Sequence, residues 1–135
     1  MKLVPYLHFG GNAREAINFY KEALQGEIVM LSTYGESPMP CDDDYKDKLV
    51  HARLIFDDNM IMISDSFKGQ PVSTHGNIQL SVDVEDEKKL DQVFTKMAEG
   101  GMITMPLADQ FWGAKFGMIV DKFGVSWMFN CVKKK

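Results

Sequence analysis

Four side chains in the amino-terminal half could carry proton-transfer chemistry. Imidazole, phenol and carboxyl groups are common general acids and bases, and in this half they include Tyr6, His8, His51 and Asp65. No nucleophile with a base and an orienting partner is evident from the spacing, and the serines that flank Asp65 lack a nucleophile-elbow signature. The presence of these side chains indicates a polar surface. Because no activated nucleophile accompanies them, no catalytic role is assigned to any of them.

Arg53 is a candidate for binding an anionic group. It has the same strand parity as His51, so both side chains are expected on one face of a strand. A planar guanidinium binds a carboxylate or phosphate through two parallel hydrogen bonds. The alternative is a surface ion pair of this side chain with Asp57, Asp58 or Glu27, and the sequence does not decide between the two.

These side chains must be positioned by a fold that is built twice. The segment FYKEALQGEIVM at residues 19–30 recurs 75 residues later as FTKMAEGGMITM, with six of twelve positions identical. In both copies an apolar-striped run ends at glycine, at Gly26 and at the pair Gly100 and Gly101, and a β-prone run follows. That pattern is typical of a helix that ends in a left-handed residue before a strand. It predicts two copies of one supersecondary unit.

Each half is predicted to be a β-α-β-β-β module, so the fold class is α+β, with a curved mixed sheet around a cleft. Module one covers residues 1–66, a linker covers 67–76 and module two covers 77–132, all in one domain. The helices are expected to begin at Asn12 and Asp86, which are good N-cap residues. The predicted strands are residues 2–10, 27–34, 49–56 and 60–65, then 77–84, 102–106, 115–120 and 125–132.

The leading strand of each module alternates between apolar and mixed positions. The more apolar parity should cover the helix, and the mixed parity should face a cleft shared by the two halves. The mixed positions are Tyr6 and His8 in the first module and Asn77, Gln79 and Ser81 in the second. Trp112, beside the glycine hinge Gly113, is a candidate lid over a flat ligand. The alternative is that it fills a subunit interface.

Composition excludes several classes of protein. An apolar fraction of 45% and a charged fraction of 25% are typical of a globular domain. A net charge of −4 without a basic stripe argues against a nucleic-acid partner, and no run approaches the roughly 18 apolar residues of a membrane span. Cys41 and Cys131 are far apart in sequence, which suggests free thiols in a reducing cytoplasm. We therefore expect a cytoplasmic protein with neither nucleic acid nor a membrane as partner.

Several segments resemble the vicinal-oxygen-chelate superfamily, which includes glyoxalase I, extradiol dioxygenases, and fosfomycin- and bleomycin-resistance proteins. NAREAINFYKEALQGE at residues 12–27 resembles its first helix, and IVDKFGVSWMF at residues 119–129 resembles its final turn and strand. PYLHFGGNAREAINFY, KDKLVHARL and FWGAKFGMIVDKFGVSWM, at residues 5–20, 46–54 and 111–128, are most similar to the PhnB-like group. The resemblance covers nearly the whole chain and implies a homodimer, in which open half-barrels pair.

The resemblance also implies where a metal ion would be bound. Metal-dependent members use four ligands, usually His, Gln or Glu, one from the first and last strand of each half. Those positions fall on Val4 or Pro5, Met62, Asn77 and Met128. Because a hard divalent cation needs oxygen or nitrogen donors, we expect no metal there. The alternative is a displaced metal site at His8 and His51, which would make the chain a lyase, isomerase or dioxygenase.

PhnB-like proteins are often described as ubiquinone methyltransferases, an activity that needs an adenosine cofactor. No predicted strand here is followed by a glycine-rich turn that leads into a helix, as such a cofactor would require, so no cofactor is expected. The leading hypothesis is a metal-independent protein that binds a small molecule of unassigned identity. The predicted ligand-binding residues are Tyr6, His8, His51, Arg53, Met62, Asn77, Gln79, Trp112 and Met128.

Overall fold

The computed structural model describes residues 2–72 and 78–132. The chain divides into unit 1, residues 1–72, and unit 2, residues 73–135, each with one helix and one four-stranded sheet. The elements of unit 1 are β1 (Tyr6–Phe9), α1 (Ala13–Ala23), β2 (Glu27–Thr33), β3 (Leu49–Phe56) and β4 (Asn59–Asp65), with 3-10 turns at Tyr34–Glu36 and Asp43–Tyr45. Those of unit 2 are β5 (Leu80–Asp83), α2 (Glu87–Ala98), β6 (Met102–Asp109), β7 (Ala114–Val120) and β8 (Ser126–Val132).

Both sheets have the same topology. The strand order is β1-β4-β3-β2 in unit 1 and β5-β8-β7-β6 in unit 2. In each sheet the first strand of the unit lies parallel to the last, and the other neighbours are antiparallel. The repeat found in the sequence is therefore a repeat of topology. The predicted α+β fold with two βαβββ modules is confirmed.

Each helix covers the apolar face of its own sheet. In unit 1, Ile17 and Tyr20 of α1 are fully buried, as are Leu54 of β3 and Ile63 of β4, two of the strands that α1 contacts. The equivalent buried layer of unit 2 is formed by Leu90, Met97, Ile119, Trp127 and Phe129. Burial of each such side chain contributes about 1.5–3 kcal/mol. Among the described residues no helix is long and apolar enough to cross a membrane.

Some strand boundaries differ from those predicted. β1 begins at Tyr6 rather than residue 2, and Leu3, expected to cover the helix, is 94% exposed. β5 begins at Leu80, and the predicted first residue, Asn77, lies outside the described part of the chain. β6 continues past Pro106, where it was expected to end. A shift in pairing between positions 105 and 108 accommodates the proline, because β6 is an edge strand and tolerates a residue without an N–H.

The amino termini of the two helices are capped differently. Asp86 caps α2 as predicted, since its side chain accepts a hydrogen bond from a backbone N–H of the first turn at 3.0 Å. Asn12 precedes α1, but its side chain makes no capping bond. Instead Oδ1 of Asp65, at the end of β4, accepts from the backbone N–H groups of Gly11 and Ala13, both at 2.9 Å. The start of α1 is thus fixed by a distant strand.

The glycines after the two helices serve close packing. The left-handed residue after α1 is Gln25, with φ 55°, so the prediction for Gly26 is wrong; in unit 2 it is Gly100, with φ 72°. A Cβ atom at Gly26 would lie 2.7 Å from the carbonyl oxygen of Ile55, and one at Gly101 would lie 2.4 Å from a β7 carbonyl oxygen. Gly26 and Gly101 are equivalent in the repeat, and both permit the chain to pass close to a neighbouring strand.

Candidate functional site

A row of side chains crosses the face of the unit 1 sheet that is turned away from α1. From β1 through β4 and β3 to β2, the row consists of Tyr6, Met62, Arg53 and Met30. Residues paired in this way point to the same face of a sheet. Each of the first three strands carries a second residue on this face, two positions away from the first. These residues are His8 beside Tyr6, Ser64 beside Met62 and His51 beside Arg53. We call these seven residues the unit 1 open face.

Hydrogen bonds and ring stacking connect most of the open face. Oη of Tyr6 lies 2.7 Å from Nδ1 of His51, and Nε of Arg53 donates to Nε2 of the same imidazole at 3.0 Å. The ring of His8 stacks on that of Tyr6, with centroids 4.5 Å apart and an interplanar angle of 5°. Nδ1 of His8 also lies 3.1 Å from Oγ of Ser64. The structure therefore brings together Tyr6, His8, His51 and Arg53, which the sequence had suggested separately.

The hydrogen bond from Arg53 determines the protonation state of His51. A guanidinium group only donates, so Nε2 of His51 accepts and carries no proton. The neutral ring carries its proton on Nδ1 and donates it to Oη of Tyr6. The phenolic O–H of Tyr6 is then left to donate away from the network. Burial lowers the pKa of His51, as does, to a smaller extent, the charge of Arg53, and both favour the neutral ring.

The guanidinium group of Arg53 is exposed and has one partner. Its Nε is bonded to His51, while its terminal nitrogens bond to no group within residues 2–72 and 78–132. No described carboxylate forms an ion pair with it, so the alternative pairing with Asp57, Asp58 or Glu27 is not seen there. The edge of the group that suits an oxyanion is therefore available to an external ligand.

The residues at the expected metal positions do not fit a hard divalent cation. Met62 and Met128 offer thioether sulfur, which is a soft ligand, whereas such cations prefer oxygen and nitrogen. At the displaced position, both ring nitrogens of His51 are already engaged in hydrogen bonds. The described residues contain no group of three or more His, Cys, Asp or Glu that could hold a metal. Neither position therefore suits a hard divalent cation.

Asp65, a predicted candidate acid or base, has a structural role. It is 2% exposed, and its carboxylate accepts hydrogen bonds from the backbone N–H groups of Gly11, Ala13 and Leu49, each at 2.9 Å. These bonds join the start of α1 and the start of β3 to the end of β4. Because its oxygens are used in this way, Asp65 positions the strands that carry the open face rather than acting on a ligand.

The turn after β1 contradicts one expectation. Gly10 and Gly11 connect β1 to α1, so a strand is followed by a glycine turn that leads into a helix. Two N–H groups at this helix start, those of Gly11 and Ala13, are bonded to Asp65 and so are not available to a phosphate. The sheet is mixed and four-stranded, unlike the parallel sheet of dinucleotide-binding folds. The turn exists, but its surroundings do not suit an adenosine cofactor.

The equivalent row of unit 2 is more apolar. From β5 through β8 and β7 to β6, it consists of Ser81, Met128, Met118 and Met105. Gln79, just before β5, lies beside this row, with Nε2 3.7 Å from the sulfur of Met118. We call these five residues the unit 2 open face. It includes the predicted residues Gln79 and Met128, whereas the predicted Asn77 lies outside the described residues.

Trp112 lies in the short loop between β6 and β7. Its side chain is 51% exposed, and its ring makes edge-to-face contacts with Phe111 and Phe116, with centroids 5.1 and 5.8 Å apart. Gly113 follows with φ 87°, a left-handed conformation that suits glycine. Both predicted roles, a lid and an interface plug, stay predictions. Trp127, by contrast, is buried in the unit 2 core.

Sequence reasoning did not identify Met30, Ser64, Met105 and Met118 as members of the open faces. Their positions follow from strand pairing and register, which a single sequence specifies poorly. One signal was present, because the offset of 75 residues aligns Met30 with Met105, and methionine is kept in both copies. That match could have indicated an equivalent position on the two faces.

A small pocket lies in unit 1, away from the residues that form its open face. It has a volume of about 170 Å³ and is lined by Tyr34, Pro40, Cys41, Asp42, Tyr45, Phe67 and Lys68. The ammonium group of Lys68 pairs with the carboxylates of Asp42 and Asp44, at 3.1 and 2.8 Å. Because its charged groups pair with one another, this pocket offers a ligand mainly its aromatic walls.

Comparison with known proteins relates the chain to a single family. The family model described as 3-demethylubiquinone-9 3-methyltransferase matches residues 1–129. The Escherichia coli protein YjdN is 32% identical, over 100% of this chain and 98% of its own. Similarity of this extent covers both units.

Solved structures agree with the sequence comparison. Protein PA1353 from Pseudomonas aeruginosa has 40% identity and a TM-score of 0.91, with 99% of each chain covered. The PhnB protein from Bacillus cereus has 34% identity and a TM-score of 0.82, over 97% of this chain and 99% of its own. A glyoxylase/bleomycin resistance protein/dioxygenase domain from Frankia, 14% identical over 98% of each chain, has a TM-score of 0.70 and shares the fold.

Proposed function

Because this chain belongs to the PhnB-like family of the glyoxalase/bleomycin-resistance superfamily, we propose that it is a small-molecule-binding protein that needs no metal ion. The observation that carries the proposal is the bonded series Tyr6–His51–Arg53, beside the apolar Met62. A few polar groups fixed in orientation within an apolar surface are typical of ligand sites. The unit 1 open face is the proposed binding surface.

Methyl transfer, the activity in the family's description, gains no support from this site. The N–H groups of Gly11 and Ala13, beside the glycine turn, are bonded to Asp65, so these two donors are not available to a cofactor phosphate or carboxylate. Unit 1 has a mixed sheet, so it also lacks the strand arrangement of dinucleotide-binding folds. We therefore propose binding without an organic cofactor.

We assign binding and no reaction to the unit 1 open face. A general base needs a lone pair within reach of the substrate proton, and both ring nitrogens of His51 are used inside the network. The rival hypothesis is a metal-dependent lyase, isomerase or dioxygenase with its ion at His8 and His51. It requires His51 to give up at least one of these hydrogen bonds.

A thermal-shift screen of metabolites and antibiotics tests the binding proposal. Compounds that raise the melting temperature of the wild type should raise that of Tyr6→Ala and Arg53→Ala much less, because both variants lose donors on the open face. Ser81→Ala is the matched control, since Ser81 is the equivalent of Tyr6 in unit 2. Hits that shift all four proteins equally would place binding elsewhere and contradict the proposal.

Metal analysis separates the two hypotheses. The protein should contain no stoichiometric nickel, zinc, iron or manganese when freshly purified, and mild chelation should leave ligand binding unchanged. Stoichiometric metal that is retained by the wild type and lost in His8→Ala would overturn the metal-free proposal in favour of the rival enzyme.

We also propose a homodimer in the cytoplasm. The edge strand β2 exposes Val29 to 48% and Leu31 to 36%, and the edge strand β6 exposes Met102 to 63% and Ile103 to 50%. Apolar side chains on an open edge favour association, and light scattering at several concentrations measures it. A monomer at every concentration would contradict the dimer. Both cysteines are free thiols, which suits a reducing compartment.

A further inference from the structure

We infer that the ligand of the unit 1 open face carries an oxyanion, a carboxylate or a phosphate, attached to an apolar body. This inference rests on the proposed function and adds the chemical class of the ligand. It follows from three properties of the face: a fixed guanidinium that no carboxylate of residues 2–72 and 78–132 pairs with, a phenol whose proton is left to donate outward, and thioether side chains between and beside them.

The guanidinium of Arg53 is prepared for a two-point contact. Its Nε–H bond to His51, at 3.0 Å, restricts rotation of the planar group. The two terminal nitrogens, which have no partner in the described chain, form the edge that matches a carboxylate or phosphate. By contrast, the exposed Lys68 and the partly buried Lys115 are each paired with a carboxylate at 2.8 Å. Arg53 is thus a cation whose charge is not met by a described acid.

Tyr6 adds a second donor on the other side of Met62. Its Oη accepts the Nδ1 proton of His51, so the phenolic proton is directed to a ligand. The two groups that can reach a ligand beside Met62 therefore both donate, and one is positively charged. No carboxylate belongs to the unit 1 open face. This combination favours an anion and disfavours a cationic ligand.

Met62 and Met30 determine what the rest of the ligand is. Met62 lies between the two donors in the row, and Met30, 41% exposed, lies on the far side of Arg53. Thioether side chains are apolar, polarisable and flexible, so they suit aliphatic or aromatic groups of variable shape. A fully polar anion such as inorganic phosphate would leave these contacts unused.

Three probes test the inference: phenylacetate, phenyl phosphate and the neutral phenylacetamide. Each is titrated into full-length protein and followed by amide and methionine-methyl NMR shifts. Both anions should shift signals of residues 6, 51, 53 and 62. They should bind at least about tenfold more tightly than phenylacetamide, because hydrogen bonds to charged groups are the stronger ones. The ratio of the dissociation constants of phenylacetate and phenyl phosphate tells which oxyanion the face prefers.

Three variants test which side chains give the preference for anions. Arg53→Gln should weaken the binding of both anions at least about tenfold and so remove their preference over phenylacetamide, whose affinity should fall much less, while Tyr6→Phe should weaken anion binding about two- to tenfold. Arg14→Gln removes the same charge from the same unit, where Arg14 donates to the backbone oxygen of Asp47, and should not alter the preference. Both arginines are on the surface, so their variants should remain folded.

Two results would overturn the inference, and they differ in what they say about the proposed function. If phenylacetamide and the anions shift the open face with equal affinity, the face binds ligands without an oxyanion contact, and the proposed function stands. If the anions act equally on Arg53→Gln and wild type, or shift no signal of the open face, the oxyanion site is absent. The compound screen then decides the proposed function independently.

Discussion

The open faces of the two sheets have equivalent rows of residues but different side-chain chemistry. The unit 1 row is Tyr6, Met62, Arg53 and Met30, and the unit 2 row is Ser81, Met128, Met118 and Met105. Methionine occupies the second and fourth positions of both rows. A phenol and a guanidinium occupy the other two positions in unit 1, where unit 2 has a small hydroxyl and a third thioether. The two modules share a scaffold, and unit 1 carries most of the hydrogen-bonding capacity.

Each unit also has its own buried carboxylate, and the two carboxylates stabilise different parts of the structure. Asp65 joins three elements of unit 1 through backbone N–H groups that are distant in sequence. Asp121 of unit 2 accepts from Phe123 and Val125 in its own turn and from the indole Nε1–H of Trp127, at 2.8 to 3.0 Å. One carboxylate organises long-range structure, and the other organises a hairpin.

The largest expected effect comes from removing these carboxylates. Asp65→Ala should lower the free energy of unfolding by about 3 kcal/mol or more, because each buried donor left without a partner costs about 1–3 kcal/mol. Asp121→Ala should cost less, about 2 kcal/mol, since the turn residues Phe123 and Val125 are partly exposed and water can replace the carboxylate. Urea unfolding measures both. If Asp65→Ala does not fold, Asp65→Asn is measured instead. Equal losses in the free energy of unfolding for the Asp65 and Asp121 variants would contradict the distinction between the two carboxylates.

The next largest effect tests what the two units share. Gly26→Ala and Gly101→Ala should each destabilise the fold by about 1–3 kcal/mol, because the added Cβ would meet a strand carbonyl at 2.7 and 2.4 Å. The loss should be greater at Gly101, where the approach is closer. Gly10→Ala is the control, since no atom lies within 4 Å of a Cβ there. If thermal unfolding shows that Gly10→Ala destabilises the fold as much as the other two substitutions, close packing is not the reason for these glycines.

A smaller effect concerns pH and should be confined to unit 1. Burial and the charge of Arg53 lower the pKa of His51, so the neutral network is complete above the ordinary value of about 6.5. Its contribution to stability is lost as the pH falls through the lowered pKa, because the protonated ring cannot accept from Arg53. Tyr6 and the stacked His8 also adjoin this network.

Ring-proton NMR measures this titration. The His51 signals should titrate below the value for an unfolded peptide, and Arg53→Gln should move the midpoint upward. Residues 78–132 contain no histidine, so the unit 2 open face should not change over this range. A His51 midpoint at or above the peptide value would contradict the proposed tautomer and its bond from Arg53.

The smallest effect is expected at Trp112. Because its side chain is half exposed, Trp112→Ala should change the free energy of unfolding by less than about 1 kcal/mol. Both tryptophans lie in unit 2. In Trp112→Phe the buried Trp127 is the one that remains, so the fluorescence emission should be blue-shifted relative to the wild type. If Trp112 is a lid, its replacement should weaken ligand binding without changing the oligomeric state. A change in oligomeric state alone would favour the interface role instead.

Much of the fold could be predicted because it depends on local patterns. Strand alternation, the N-cap at Asp86 and the repeat with its glycines identified two βαβββ modules. Local patterns failed where a distant group acts. The capping of α1 by Asp65 replaces the expected Asn12, and this needs a contact over more than 50 residues. Gln25 takes the left-handed conformation expected of Gly26. Gly26 is instead the residue that lies too close to a neighbouring strand to carry a side chain.

The candidate site was predicted residue by residue rather than as an arrangement. Parity placed Tyr6 with His8 and His51 with Arg53, and both pairs lie on one face of the unit 1 sheet. That the pairs meet through His51 depends on β4 lying between β1 and β3. A single sequence does not specify this order. For the same reason Met30 and Ser64 were missed.

The parallel pairing of β1 with β4 has a consequence for biosynthesis. Tyr6 and His8 leave the ribosome well before Met62 and Ser64, their neighbours 56 positions later. Until β4 is available, β1 has no strand with which to pair, and contacts this distant in sequence form slowly. Unit 1 can therefore complete its open face only after β4 has been synthesised. A nascent chain with α1, β2 and β3 already made would still lack the β4 residues of this face.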